Sequence, residues 1–392
     1  MANHQDLLNA FSAVGKDQWL EKIQRDLKGK PLAELDWQIE EQVRVAAAYG
    51  PEDAPASTHP LRAGRADNTW EIGEYLSVGD PVAANAQALE GLAGGVNAPL
   101  FRLLHLPTEA ELATLLADIE PAFISVHFAP AYPGKDPAVL FRNLIYYARR
   151  RGLDLSKIRG SMDFDPLLDW SEPPFEALAR VMRFARRHTP GFKVLQINGQ
   201  HAGIEHTSRE LALLIAQGTE YLTQLAAAGI APKQANALLQ FSVAVNTSYF
   251  VAIAKLRALK ILWANVLAGF GLEDAELPPI AAYPAAETQG ADREYNMIRA
   301  ATQALSAVIG GATRLFLPGS DLHARGESSS FSRRVARNVQ HLLQMESNLD
   351  QVVDPAAGSY YLEHLTRLFC EEAWAKFQEI ESRGGYLRVE NV

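Results

Sequence analysis

One cysteine, Cys370, stands in the 392 residues, so the chain can close no intrachain disulfide and build no cysteine-rich metal site. A reducing, cytoplasmic setting fits that count. No apolar run approaches the ~18–20 residues of a membrane span. The amino terminus, MANHQDLLNAFSAVGKDQW, lacks the basic start, apolar stretch and small-residue cleavage site of a secretory signal. Positive charge is not in excess: 37 Lys and Arg face 46 Asp and Glu, a net charge of −9. That removes any bulk electrostatic case for nucleic acid or an acidic membrane surface. The arginines at 149–151 and 186–187 read as solvated helix ends. There is no GxGxxG leading into a helix, no GxxxxGK[ST] and no GxSxG, so nucleotide-binding and serine-hydrolase readings lack a handle. His127, His201 and His206 are framed by neither HExxH nor CxxC, and no metal site is expected.

What the sequence does hold is an ordinary globular balance, 48% hydrophobic and 21% charged, with strand and helix patterns alternating from Trp70 onward. Short apolar or alternating runs predict strands at 71–78, 98–104, 122–128, 158–164, 193–198, 239–245, 278–283 and 312–317. Helical patterns fill 81–93, 108–118, 136–150, 172–188, 205–228, 248–269, 291–309 and 328–349, with one more at 360–384. Each parallel connection needs a crossover helix, so eight such pairs predict a (β/α)8 TIM barrel over 70–392. A doubly wound open sheet is the competing architecture. Residues 1–69 fit no βα repeat. Trp19 to Leu27 suggest a short amphipathic helix, and the stretch to Pro60 reads as an arm that wraps a partner or its own fold.

Barrel sites sit at the carboxyl ends of the strands. Those ends offer Tyr75 and Asp80, His105, His127, Asp163 and Asp165, and then Asn198, Gln200 and His201. Further round come Asn246, Thr247 and Ser248, Glu287, and lastly Ser320, Asp321 and His323. The rim is rich in neutral hydrogen-bonding groups. Asp321 to Gly326 spell DxHxxG, in which a carboxylate could orient a metal-bound imidazole. No further βα sheet follows it, so the match is read as coincidence.

The stretch FSRRVARNVQHLLQMESNLDQVVDPAAGSYY, Phe331 to Tyr361, resembles the end of the barrel domain in the methylmalonyl-CoA mutase family. Trp70-Glu71-Ile72-Gly73-Glu74-Tyr75, Ile197 to His201, Glu210 to Leu222 and Ala254 to Trp263 resemble further blocks of that family in the same order. The resemblance implies a barrel that threads acyl-CoA down its axis and an adenosylcobalamin domain that caps it. It also implies an N-terminal segment packed across a dimer. The departures matter equally. Catalytic members carry TIRQYAG, whose arginine pairs with the substrate carboxylate; here Gly73 stands in its place, although Tyr75 keeps the tyrosine. The wording after His201 lapses into AGIEHTS, and no cobalamin domain follows. These losses resemble the small, non-catalytic subunit of heterodimeric mutases, with the cofactor on a large catalytic partner chain. Tyr75 and His201 would then be degenerate remnants. Asn198, Gln200, Asn246 and Lys255 are the candidate contacts to an acyl-CoA ligand. The alternative is a catalytic barrel served by a cobalamin domain on a separate chain.

Overall fold

The computed structural model describes residues 14–54, 65–199 and 206–388. A two-stranded antiparallel hairpin, β1 (Trp37–Glu40) and β2 (Val43–Val45), precedes the barrel. The parallel strands follow as β3 (Glu71–Val78), β4 (Ala98–Leu103), β5 (Ser125–Pro130), β6 (Arg159–Met162), β7 (Phe192–Lys193), β8 (Leu195–Asn198), β9 (Leu239–Val245), β10 (Ile280–Pro284) and β11 (Arg314–Leu317). Their order is β7-β6-β5-β4-β3-β11-β10-β9-β8. The two ends of that order, β7 and β8, are separated in sequence by Val194 alone. They are halves of the strand expected at 193–198, and they pair with opposite neighbours. Val194 N–H donates to Leu238 O and Gln196 N–H to Phe164 O, both at 3.0 Å, so this segment joins the two flanks. The sheet is therefore a ring of eight strand positions, not a doubly wound open sheet.

In chain order the helices are α1 (Lys16–Asp26), α2 (Pro81–Ala93), α3 (Glu109–Leu115), α4 (Pro137–Arg150), α5 (Pro166–Asp169), α6 (Phe175–His188), α7 (Thr207–Ala227), α8 (Pro232–Leu238), α9 (Tyr249–Gly269), α10 (Arg293–Ile309), α11 (Leu322–Arg325), α12 (Ser330–His341) and α13 (Tyr360–Ser382). Their starts follow from short polar side chains. Asp80, Asp136 and Asp292 accept from the first free backbone N–H groups of α2, α4 and α10. Thr108 and Glu111 close a capping box on α3. The helix expected over 328–349 is shorter than its pattern: α12 ends at His341 and passes into a π-helical turn at Leu342–Glu346. Among the described residues no helix is long and apolar enough to cross a membrane.

Ion pairs fasten the helical shell to the ring and its helices to one another, and they use the sequence blocks singled out above. Glu74 points outward and meets Arg333 (2.9 Å) and Arg337 (3.2 Å) of α12. Gly91 leaves the space that its carboxylate fills. Arg257 of α9 holds Asp354 (2.9 Å) and Glu363 (2.8 Å). Lys255 meets Glu210 of α7 at 2.8 Å with both side chains 1% exposed. These are buried, mutually satisfied charges whose loss on one side leaves the other uncompensated.

The described part of the arm lies on its own barrel. Val43 and Val45 are buried. The Glu40 carboxylate accepts from Ser208 N at the start of α7 (3.1 Å), and Tyr49 packs on His364 and Tyr361 of α13. Helix α1, by contrast, buries none of its residues. Leu32, Leu35 and Trp37 are 37, 41 and 47% exposed.

Candidate functional site

Side chains alternate across a strand, so residues 71, 73 and 75 of β3 face the axis while 72, 74 and 76 face the helices. At the axis floor, six strands contribute one polar network. Arg314 Nε donates to Glu71 Oε2 (2.7 Å), and its Nη1 donates to Gln240 Oε1. Gln240 Nε2 donates to Ser161 Oγ (3.0 Å) and to Gln196 Oε1. The His127 ring sits between Ser161 Oγ (Nδ1, 2.8 Å) and Glu71 Oε2 (Nε2, 3.3 Å). His127, Ser161, Gln196, Gln240 and Arg314 are all buried, which leaves no open channel among them.

The charges of this layer are set mainly by one another. Burial works to raise the Glu71 pKa, but Arg314 and the His127 contact outweigh it and hold the carboxyl well below the usual range. Burial and the Arg314 charge both push the His127 imidazole down. At neutral pH it is an uncharged link in the network.

Above the floor lies Phe316, 1% exposed, edge-on to His127 at 5.3 Å and stacked on Tyr283 at 5.1 Å. Its ring occupies the volume that a side chain at Gly73 would need. A Cβ there would stand 2.8 Å from Phe316 Cε1 and 2.5 Å from the Leu315 carbonyl oxygen. A cavity of about 290 Å³ opens above, lined by Tyr75, Tyr283, Glu287, Gln289 and His323, with Phe316 among its walls. Ligand pockets are typically ~300–1,000 Å³, so this one has room for a small group.

The remaining rim groups stand beside that cavity. Asn198 Nδ2 donates to Asp163 Oδ1 (3.2 Å) and its backbone N–H to Asp165 Oδ2 (2.9 Å). Tyr221 Oη donates to Asp165 Oδ1. Burial pushes Asp163 up to about 6 and Asp165 up to about 7. Burial also raises Tyr75.

The structure places the candidate residues unevenly. Tyr75 reaches the mouth cavity, and Asn198 stands at the rim beside Asp163. Asn246 Oδ1 accepts from Ser248 N–H (2.9 Å) at the entry to α9. Lys255 lies outside the barrel wall, its ammonium committed to Glu210 and to Ala244 O (2.5 Å). Gln200 and His201 lie outside the described residues. Asp321 is turned toward Ser329 N–H (3.1 Å) and Ser332 Oγ at the start of α12 rather than toward the exposed His323. The DxHxxG spelling therefore builds no oriented imidazole, and these residues do not fit a cobalt-ligating histidine. Among the described residues no group of three His, Cys, Asp or Glu could hold a metal ion. Of the axial network, only His127 is among the strand-end residues offered by the sequence. The network's signal was the polar residue recurring at inward positions of otherwise apolar strands: Glu71, His127, Ser161, Gln196, Gln240 and Arg314.

The family model described as methylmalonyl-CoA mutase matches residues 104–390. The methylmalonyl-CoA mutase small subunit of Porphyromonas gingivalis is 33% identical over 98% of this chain. This chain belongs to the methylmalonyl-CoA mutase family. The corresponding small subunit of Streptomyces virginiae is 30% identical over 86% of the chain. A methylmalonyl-CoA mutase of Cereibacter sphaeroides is 27% identical over 95% of it. The chain spans 66, 55 and 59% of those three relatives' lengths, respectively. With the family in place, the ordered blocks take on a structural meaning. The FSRRVARN, AKLRA and VVDP wordings supply the internal ion pairs Arg333–Glu74, Lys255–Glu210 and Arg257–Asp354.

Proposed function

We propose that this chain is the small, non-catalytic subunit of a cobalamin-dependent methylmalonyl-CoA mutase. In this reading a large partner chain carries adenosylcobalamin, whose radical chemistry interconverts methylmalonyl-CoA and succinyl-CoA. The observation that carries the reading is the occupied axis. An acyl-CoA threading the barrel would have to displace Phe316, and below it the network in which the buried His127, Gln240 and Arg314 join the partly exposed Glu71. Gly73 cannot supply the bidentate charge-assisted pair that fixes a carboxylate. A second support comes from the arm. Helix α1 with no buried residue, and the exposed Leu32, Leu35 and Trp37, offer apolar surface for the large chain to cover. A single free cysteine suits the same reading in a reducing cytoplasm.

The rival, a catalytic barrel served by a separate cobalamin chain, is favoured by one observation: the mouth cavity still presents Tyr75. The test is to mix this chain with a cobalamin-carrying mutase chain, measure the assembly by size-exclusion with light scattering, and assay isomerisation. Tyr75→Phe, Asn198→Ala and His201→Ala are then introduced here. A stable complex whose activity ignores all three supports the scaffold. Activity that collapses while the complex stays intact overturns it.

A further inference from the structure

A second cavity, of about 240 Å³, lies at the opposite end of the barrel and outside its wall. It is lined by Arg65, Lys260, Glu276, Ile280 and Thr313, with Pro278 and Pro279 in the loop before β10. Axis-facing positions in β10 and β11 are Ala281, Tyr283, Arg314 and Phe316, so Ile280 and Thr313 face the helices. The cavity is therefore separate from the axial path and from the mouth.

Its cations, Arg65 and Lys260, have no ion-pair contact among the described residues, and Asp67 and Asp354 offset them only from a distance. Lys260 on α9 is 8% exposed, and its ammonium donates to Gly310 O at 3.1 Å. Among the described residues no carboxylate lies within ion-pair distance of it, in contrast to Lys255 five residues earlier on the same helix. It fills the space beside Gly311, a position whose φ of +82° already favours glycine. Arg65, half-buried, lines the same cavity, and its charge acts on Lys260. Burial and the Arg65 charge push the lysine down to about 7, while Asp354 opposes that and Arg257 adds to it. Burying an ammonium without an anion is costly, and a second cation beside it raises the cost. Glu276 is the acidic group in the lining. An oxyanion between Arg65 and Lys260 would accept from both and would relieve their repulsion.

We propose that this cavity is a binding site for a phosphate-type oxyanion, held by Arg65 from the arm and Lys260 from the shell. The volume admits either the free ion or the phosphoryl group of a small monoester. The two are distinguished by titrating the full chain with inorganic phosphate and, separately, with ribose 5-phosphate, by calorimetry.

Saturable binding of either at millimolar concentration is expected, weakened about tenfold or more in Arg65→Ala, the loss of one charge-assisted contact. Arg65 is half-buried on the arm, outside the barrel strands, and its variant is read only where circular dichroism and melting match the parent. Lys260→Gln is the second variant, read only where its circular dichroism and melting match the parent. Binding that is equal in the parent and in Arg65→Ala would overturn the site, as would no saturable binding of either probe. Neither result bears on the mutase reading, which concerns the axis and the arm.

Discussion

Gly73 and Phe316 share one volume: the ring of the second lies where the side chain of the first would begin. The absence of an arginine on β3 and the presence of an aromatic ring on β11 are therefore one arrangement. Reversing it needs both positions, and the Leu315 carbonyl close to Gly73 adds a backbone obstacle.

Gly73→Ala should destabilise the chain by about 1–3 kcal/mol through overpacking. Phe316→Ala should cost about 3–5 kcal/mol through a cavity that the rigid ring cannot refill. Urea unfolding measures both. Phe316→Ala should still fail to bind an acyl-CoA, because the Arg314 network lies beneath; calorimetric binding by this variant would contradict an occupied axis.

Lys255→Met leaves the Glu210 carboxylate buried without its cation and should cost about 3–5 kcal/mol. Burial already raises Glu210 against the pull of Lys255. A double substitution, Lys255→Met with Glu210→Leu, should recover much of that loss. Additive losses in the double mutant would show that the two residues act separately.

Asp163 and Asp165 carry a pH signature. Their folded values of about 6 and 7 lie above the ordinary 3.8, so between those limits the folded chain holds more protons than the unfolded one. Their contribution to stability is full below about pH 4 and is lost as pH rises through 6 to 7. The decline in urea midpoint over that window should be shallower in Asp165→Asn. Parallel profiles for the variant and the parent would rule this out.

Leu35→Asp and Trp37→Asp change exposed side chains and should leave the isolated chain within about 0.5 kcal/mol of the parent. Under the subunit reading they should weaken assembly with the large chain about tenfold or more. Light scattering across a dilution series reads this directly, and undiminished assembly would place the interface elsewhere.

The barrel was legible because each strand is a short apolar run and each helix carries a 3.6-residue stripe. The boundaries of β3 and α2 fall where the pattern puts them. The break at Val194 was not legible, because the valine between two half-strands that pair with opposite neighbours looks like any other buried valine. Lys255 was misleading for a related reason. The family resemblance offers it as a contact to an acyl-CoA ligand, but only the packing of α7 against α9 reveals Glu210 facing it. Of the expected site, Tyr75 and Asn198 stand at the mouth. The axial floor needed the fold, since its six polar groups come from six separate strands.

The bond from Arg333 to Glu74 spans 259 residues. A ribosome adding ~5–20 residues per second makes Glu74 between about 13 and 52 seconds before its arginine exists. For that interval the first barrel strand carries a carboxylate with neither of its permanent partners, and its outward face cannot yet be sealed. The charge on the first barrel strand is thus matched only once the helix Ser330–His341 has been made, and a nascent chain stalled before Phe331 would leave it unpaired.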